Sequence, residues 1–208
     1  MSEKDEVLQQ ISDIKSHLID KETFFPYNYN ACHAWSVIAI IMTFVLIPSY
    51  EYSIVMGTGL MFVLVAVGFV IEGTLTKKEN QSYDIDDCTK KQEFIMKNFL
   101  MISLFLIVLS TVLATSKLYV VIYLAWLFLI SLGHLTVGFV LNIKDFTRMA
   151  KFNMLMALIL LSVGAYFDLL STSSSLFVTL TQAVVIFGLG ILPSVVARKQ
   201  QKREACSV

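Results

Sequence analysis

Residues 118–141, LYVVIYLAWLFLISLGHLTVGFVL, form a run of 24 residues with no formal charge and one histidine, His134. A helix rises about 1.5 Å per residue, and a bilayer core of about 30 Å takes roughly 20 apolar residues, so this run spans. It is the fourth of six such runs, placed at 34–50, 53–76, 98–116, 118–141, 152–170 and 176–197. The composition agrees: 56% of residues are hydrophobic, 15% are charged and the mean hydropathy is +0.72. A soluble domain carries about 25% charged residues. The expected fold is therefore all-α, a bundle of six transmembrane helices arranged as three antiparallel hairpins. Residues 1–33 form a cytoplasmic amphipathic and aromatic segment, 34–197 the membrane domain and 198–208 a basic tail.

Charge sets the expected orientation. With the N-terminus inside, fifteen of the sixteen basic residues fall on the cytoplasmic side and Lys117 alone falls outside. By the positive-inside rule both termini are cytoplasmic. The net charge is zero, which argues against a nucleic-acid partner. The first 20 residues are acidic and amphipathic, unlike a cleavable signal peptide. Cys32, Cys88 and Cys206 all face the reducing side, so no structural disulfide is expected. No C-x-x-C or H-x-x-H spacing occurs, and no metal or cofactor is expected.

Within residues 3–22, Val7, Ile11, Ile14 and Leu18 make one helical stripe. Such a helix either packs on the inner loops and headgroups or binds a partner. Phe24, Phe25, Tyr27, Tyr29 and Trp35 read as an interfacial belt, with Pro26 and Asn30 suited to the first helix entry. Pro48 is expected to end the first helix and Pro193 the last. Asp84, Asp86 and Asp87 match no calcium-loop spacing and read as a solvated loop. Turns at 114–117 and 170–175 are short and polar, as antiparallel neighbours require.

The three hairpins can be superposed. The even helices end VGFVIEGTLTKK, LGHLTVGFVLNI and FGLGILPSVVAR, which aligns Gly68, Gly133 and Gly188, and also Gly73, Gly138 and Pro193. These are the expected helix-packing positions, since glycine lets a neighbouring helix approach closely. Counting back 35 residues gives His33, Asn98 and Asn153 at the mouths of the odd helices. Gly190-xxx-Ser194 alone has the small-xxx-small spacing here. The layout, and the segment WLFLISLGHLTVGFVL with His134-xxx-Gly138, resemble the small bacterial inner-membrane proteins of the HdeD-like type. The resemblance implies a bacterial inner-membrane location and a link to acid stress. It carries over no catalytic motif.

Three ionisable side chains lie within the spans: Glu72, His134 and Asp168. Such residues are costly in lipid and are functional candidates. Glu72 is close enough to the inner end to reach the headgroups or a lysine such as Lys77 or Lys78. Asp168 sits at the outer end of its span, where it caps or hydrates the helix. His134 lies roughly 12 Å deep and needs a partner, with Thr136, Ser131, Ser103, Ser110 and Gln182 within consideration. Together His134, Glu72 and Gln182 are the candidate intramembrane polar site. No H-E-x-x-H, G-x-S-x-G or phosphate-binding loop occurs, so an enzyme is not expected. The leading expectation is a non-enzymatic membrane protein, stress-linked or scaffolding, with partners at its cytoplasmic side and in the bilayer. The alternative is a channel or transporter for small solutes or ions, or the substrate-binding subunit of an importer. Six short spans leave little interior, so a pathway is expected to need a homo-oligomer.

Overall fold

A computed structural model describes residues 27–81, 89–171 and 176–205. Six helices in it are long and apolar enough to cross a membrane. The regular elements are all helical: α1 (Tyr29–Tyr52), α2 (Ile54–Gln81), α3 (Lys90–Thr115), α4 (Tyr119–Val140), α5 (Lys144–Tyr166), α6 (Leu176–Val185), a π-helical turn (Ile186–Ile191) and α7 (Leu192–Ala205). The last three run on as one sixth helix. The expected helix at 3–22, the acidic loop with Cys88, and Cys206 lie outside the described residues.

Local chemistry sets the ends. Asn28, not Asn30, caps α1: its Oδ1 accepts from the backbone N–H groups of Asn30 and Ala31. Thr89 and Gln92 form a reciprocal capping box at the start of α3. The Gln92 amide also exchanges two hydrogen bonds with Asn80, at 2.9 and 2.7 Å, which joins the end of α2 to α3. Three helices end on a left-handed residue: Lys117, Asn142 and Asp168, with φ of 56°, 54° and 53°. The residue after each bonds back five positions, Leu118 to Leu113, Ile143 to Gly138 and Leu169 to Gly164. This is the Schellman closure, with asparagine and aspartate the side chains that tolerate it best. Asp168 thus ends a helix by its backbone conformation.

Both prolines depart from expectation. Pro48 lies inside α1, which runs on to Tyr52. It removes one backbone bond, the one an N–H at 48 would give to the carbonyl of Phe44. Nearby, Ser49 Oγ donates to Leu46 O and Tyr123 OH to Thr43 O. Pro193 does not end the sixth helix either. The N–H of Leu192 bonds five residues back to Phe187 O, and the same register would pair residue 193 with Gly188 O. Proline has no N–H to give. Asn153 Nδ2 supplies the missing donor to Gly188 O at 2.9 Å, so the π turn is closed from α5.

Packing makes a ring rather than three equal pairs. Helices α1 and α2 pack extensively, as do α3 with α4 and α4 with α5. The sixth helix touches α5 less than it touches α1. At that closing contact, a Cβ on Gly190 would strike Ile40, and Ser194 Oγ donates to Ser36 Oγ at 2.9 Å. The small-xxx-small pair therefore faces the first helix. Outward faces of α2, α3 and α5 expose large apolar side chains such as Val55, Phe105 and Leu155, as lipid contact demands.

Candidate functional site

A cavity of about 130 Å³ lies within the single chain, lined by α1, α2, α3, α4 and the sixth helix. Six short spans were expected to leave little interior for a pathway within one chain. The first helix lines it with Asn28, Cys32, Trp35, Ala39, Met42 and Leu46, three or four apart on one face. From α4 come Tyr123, Trp126, Ile130, His134 and Val137, and from the sixth helix Val185, Leu189 and Pro193. The stripe on α1 extends over about 27 Å at 1.5 Å per residue, close to the hydrocarbon thickness. The space takes several waters or one small organic molecule. No described residue of α5 lines it.

One end of this lumen is polar. Trp35 Nε1 donates to Glu72 Oε2 at 2.8 Å, and the indole meets Phe69 edge-on with centroids 5.2 Å apart. Glu72 turns inward and forms no ion pair among the described residues, whereas Lys77 and Lys78 are exposed. The lysine partner expected for Glu72 is thus replaced by a tryptophan of the preceding helix. Tyr27 OH and Cys32 Sγ share a hydrogen bond of 3.1 Å nearby. Burial above all, then the adjacent Cys32, holds the Tyr27 phenol well above its ordinary range, so it stays neutral. Asn28 Nδ2 is buried and has no acceptor among the described residues.

His134 lines the same lumen but bonds within its own helix. Its Nδ1 lies 3.0 Å from Ile130 O; a carbonyl only accepts, so the proton is on Nδ1 and Nε2 is left as an acceptor. The ring stacks on Phe146, with centroids 6.1 Å apart, and meets Phe99 edge-on at 5.6 Å. The partners considered for it are occupied elsewhere or stand apart. Thr136 donates to Leu132 O, Ser110 accepts from Trp126 Nε1, and Ser131 Oγ is buried without a partner. Gln182 is not at the lumen wall. It donates to Tyr123 OH at 3.0 Å, and that hydroxyl donates to Thr43 O, tying three helices together. Glu72 and His134 therefore share the lumen, and Gln182 supports one of its walls.

The aligned glycines each seat a side chain from the odd helix before them. A Cβ on Gly68 would strike the Trp35 ring, one on Gly133 the Phe99 ring and one on Gly188 the Asn153 amide. Counting back 35 residues found Asn153; the seated residues in the other two cases lie two and one positions beyond His33 and Asn98. His33 instead places Nδ1 2.9 Å from Ser194 Oγ. Gly138 lies against Thr147 at the α4–α5 turn. No described residue comes within 4 Å of a Cβ at Gly73, so it is no packing position among the described residues. Trp35 was the residue the sequence reading assigned to the interface and missed as a site residue. Its signal was available: reflecting the first hairpin about its turn brings it opposite Gly68.

Outside the lumen, Asp145 gathers Lys199 at 2.9 Å and Arg203 at 3.4 Å, binding the basic end of the sixth helix to the start of α5. Among the described residues, no group of three histidine, cysteine, aspartate or glutamate side chains is placed to hold a metal. Comparison with family models, with curated proteins and with solved structures returned no match.

Proposed function

We propose that this chain is a non-enzymatic integral membrane protein that holds or passes a small, largely apolar solute in its five-helix lumen. The observation that carries the reading is the continuous lining stripe along α1, close to the membrane's hydrocarbon thickness in length. Concave, mostly apolar sites with a few converging polar groups are what small-molecule binding requires. The topology that goes with it is three hairpins in the cell membrane with both termini cytoplasmic, supported by the fifteen-to-one division of basic residues. The stress-linked or scaffolding role, and a bacterial inner-membrane setting, rest on the HdeD-like layout alone.

The test is saturable binding to the purified chain in nanodiscs, read from tryptophan fluorescence, since Trp35 and Trp126 both line the lumen. With 1-hexanol as probe, the wild type is expected to saturate above the empty-nanodisc background. Ser103, buried and on the lumen wall, is the place to block it. Ser103→Phe should abolish the saturable part while leaving the protein monodisperse. Equal binding by the two proteins overturns the lumen reading.

A further inference from the structure

The polar end of the lumen has an unbalanced composition. Among the described residues that line it, Glu72 is the one carboxylate, and no lysine or arginine joins it. One of its oxygens takes the indole N–H of Trp35; the other receives no hydrogen bond among the described residues. A carboxylate withdrawn from water is costly unless a cation or further donors accompany it. The nearest rings are aromatic faces held in place: Trp35 is seated over Gly68, hydrogen-bonded to Glu72 and edge-on to Phe69. A carboxylate and aromatic rings lining the same end of a cavity are the two features that recognise an ammonium group. A hard metal ion is served poorly, because it needs six or more oxygens and this site offers one carboxylate. Beyond it the wall turns apolar, through Ile38, Met42, Leu46, Ile130 and Leu189.

We propose that Glu72, Trp35 and Phe69 receive the ammonium head of a small amphipathic organic cation, whose apolar arm lies along the lumen. This names the ligand class for the lumen reading above and rests on it. The charge pairs with the open oxygen of Glu72, the rings cover the remaining faces of the head, and Trp35 fixes the carboxylate through its N–H. Lys77 and Lys78 on the same helix are exposed and do not compete for the site.

The experiment compares hexyltrimethylammonium with 1-hexanol on the full chain in nanodiscs of zwitterionic lipid. The wild type should bind the cation saturably and more tightly than the alcohol. Glu72→Gln keeps the size of the side chain and an acceptor for Trp35 but removes the charge. It should weaken cation binding about tenfold or more and change hexanol binding by a clearly smaller factor. If the cation binds wild type and Glu72→Gln alike while Ser103→Phe still abolishes hexanol binding, the cation assignment is overturned and the lumen reading stands. Binding of neither probe overturns both. Should Glu72→Gln fail to give a monodisperse protein, the wild-type comparison decides: equal affinity for the cation and for its uncharged carbon isostere, in which carbon replaces the quaternary nitrogen, overturns the proposal.

Discussion

Gly68 and Gly188 occupy aligned places in two even helices, and each makes a notch that a side chain of the preceding helix fills. The occupants do opposite things. At Gly188 the Asn153 amide turns its donor onto a backbone carbonyl that Pro193 has deprived of a partner, and the polar demand is closed. At Gly68 the Trp35 ring fills the notch and its N–H reaches Glu72, which keeps an oxygen open to the lumen. A common packing device thus serves integrity at one helix pair and leaves a polar group at the lumen wall at another. The lesson is that a small-residue notch says where a helix is approached, and the chemistry of the occupant says what for.

The largest effect should come from filling the Gly68 notch. A Cβ there would sit 2.5–2.9 Å from three Trp35 ring atoms, so the indole must move away from Glu72. Gly68→Ala is expected to cost roughly 2–3 kcal/mol in chemical or thermal unfolding of the solubilised protein. Gly73→Ala, with open space around it, should be neutral or stabilising by up to about 1 kcal/mol from helix propensity. Equal responses at the two glycines would break the distinction.

A middle-sized effect belongs to Asn153. Asn153→Leu strands the Gly188 carbonyl and should cost about 1–2 kcal/mol. Pro193→Ala returns an N–H to the position that the π register directs at that carbonyl. A double-mutant cycle should therefore show a favourable coupling of about 0.5–1.5 kcal/mol. Strictly additive changes would show that Asn153 does not compensate for the proline.

The smallest effect is expected at His134. Its bond goes to a carbonyl of its own helix, and its ring is held between Phe99 and Phe146. His134→Leu should lose less than about 1 kcal/mol, below Asn153→Leu in the same assay. A larger loss would reveal a partner for Nε2 and move the histidine to the side of Glu72.

The departures from expectation concern particular side chains and share a cause. Glu72 and His134 were legible as candidates because ionisable residues in apolar runs are conspicuous. The partner of Glu72 was not, since Trp35 lies 37 positions away and is brought to it by helix packing. Pro48 and Pro193 read as stops because local chemistry makes proline a stop. A side chain of another helix can supply the missing hydrogen bond, as Asn153 does at Gly188 O for Pro193. Gly73 aligned with real packing glycines in sequence, yet no described residue stands against it: five positions along a helix from Gly68 is well off the same face.

By itself the sequence determined the material and its solvent: six apolar runs of spanning length, the polar breaks between them, and the charge bias between the two sides. Those follow from length and transfer energy, which act on each segment separately. Which helices adjoin, which side chains fill the glycine notches and where a lumen remains were decided by tertiary structure. Apolar helices are nearly interchangeable to lipid, so their arrangement is chosen by shape and by a few polar contacts spread across distant parts of the chain.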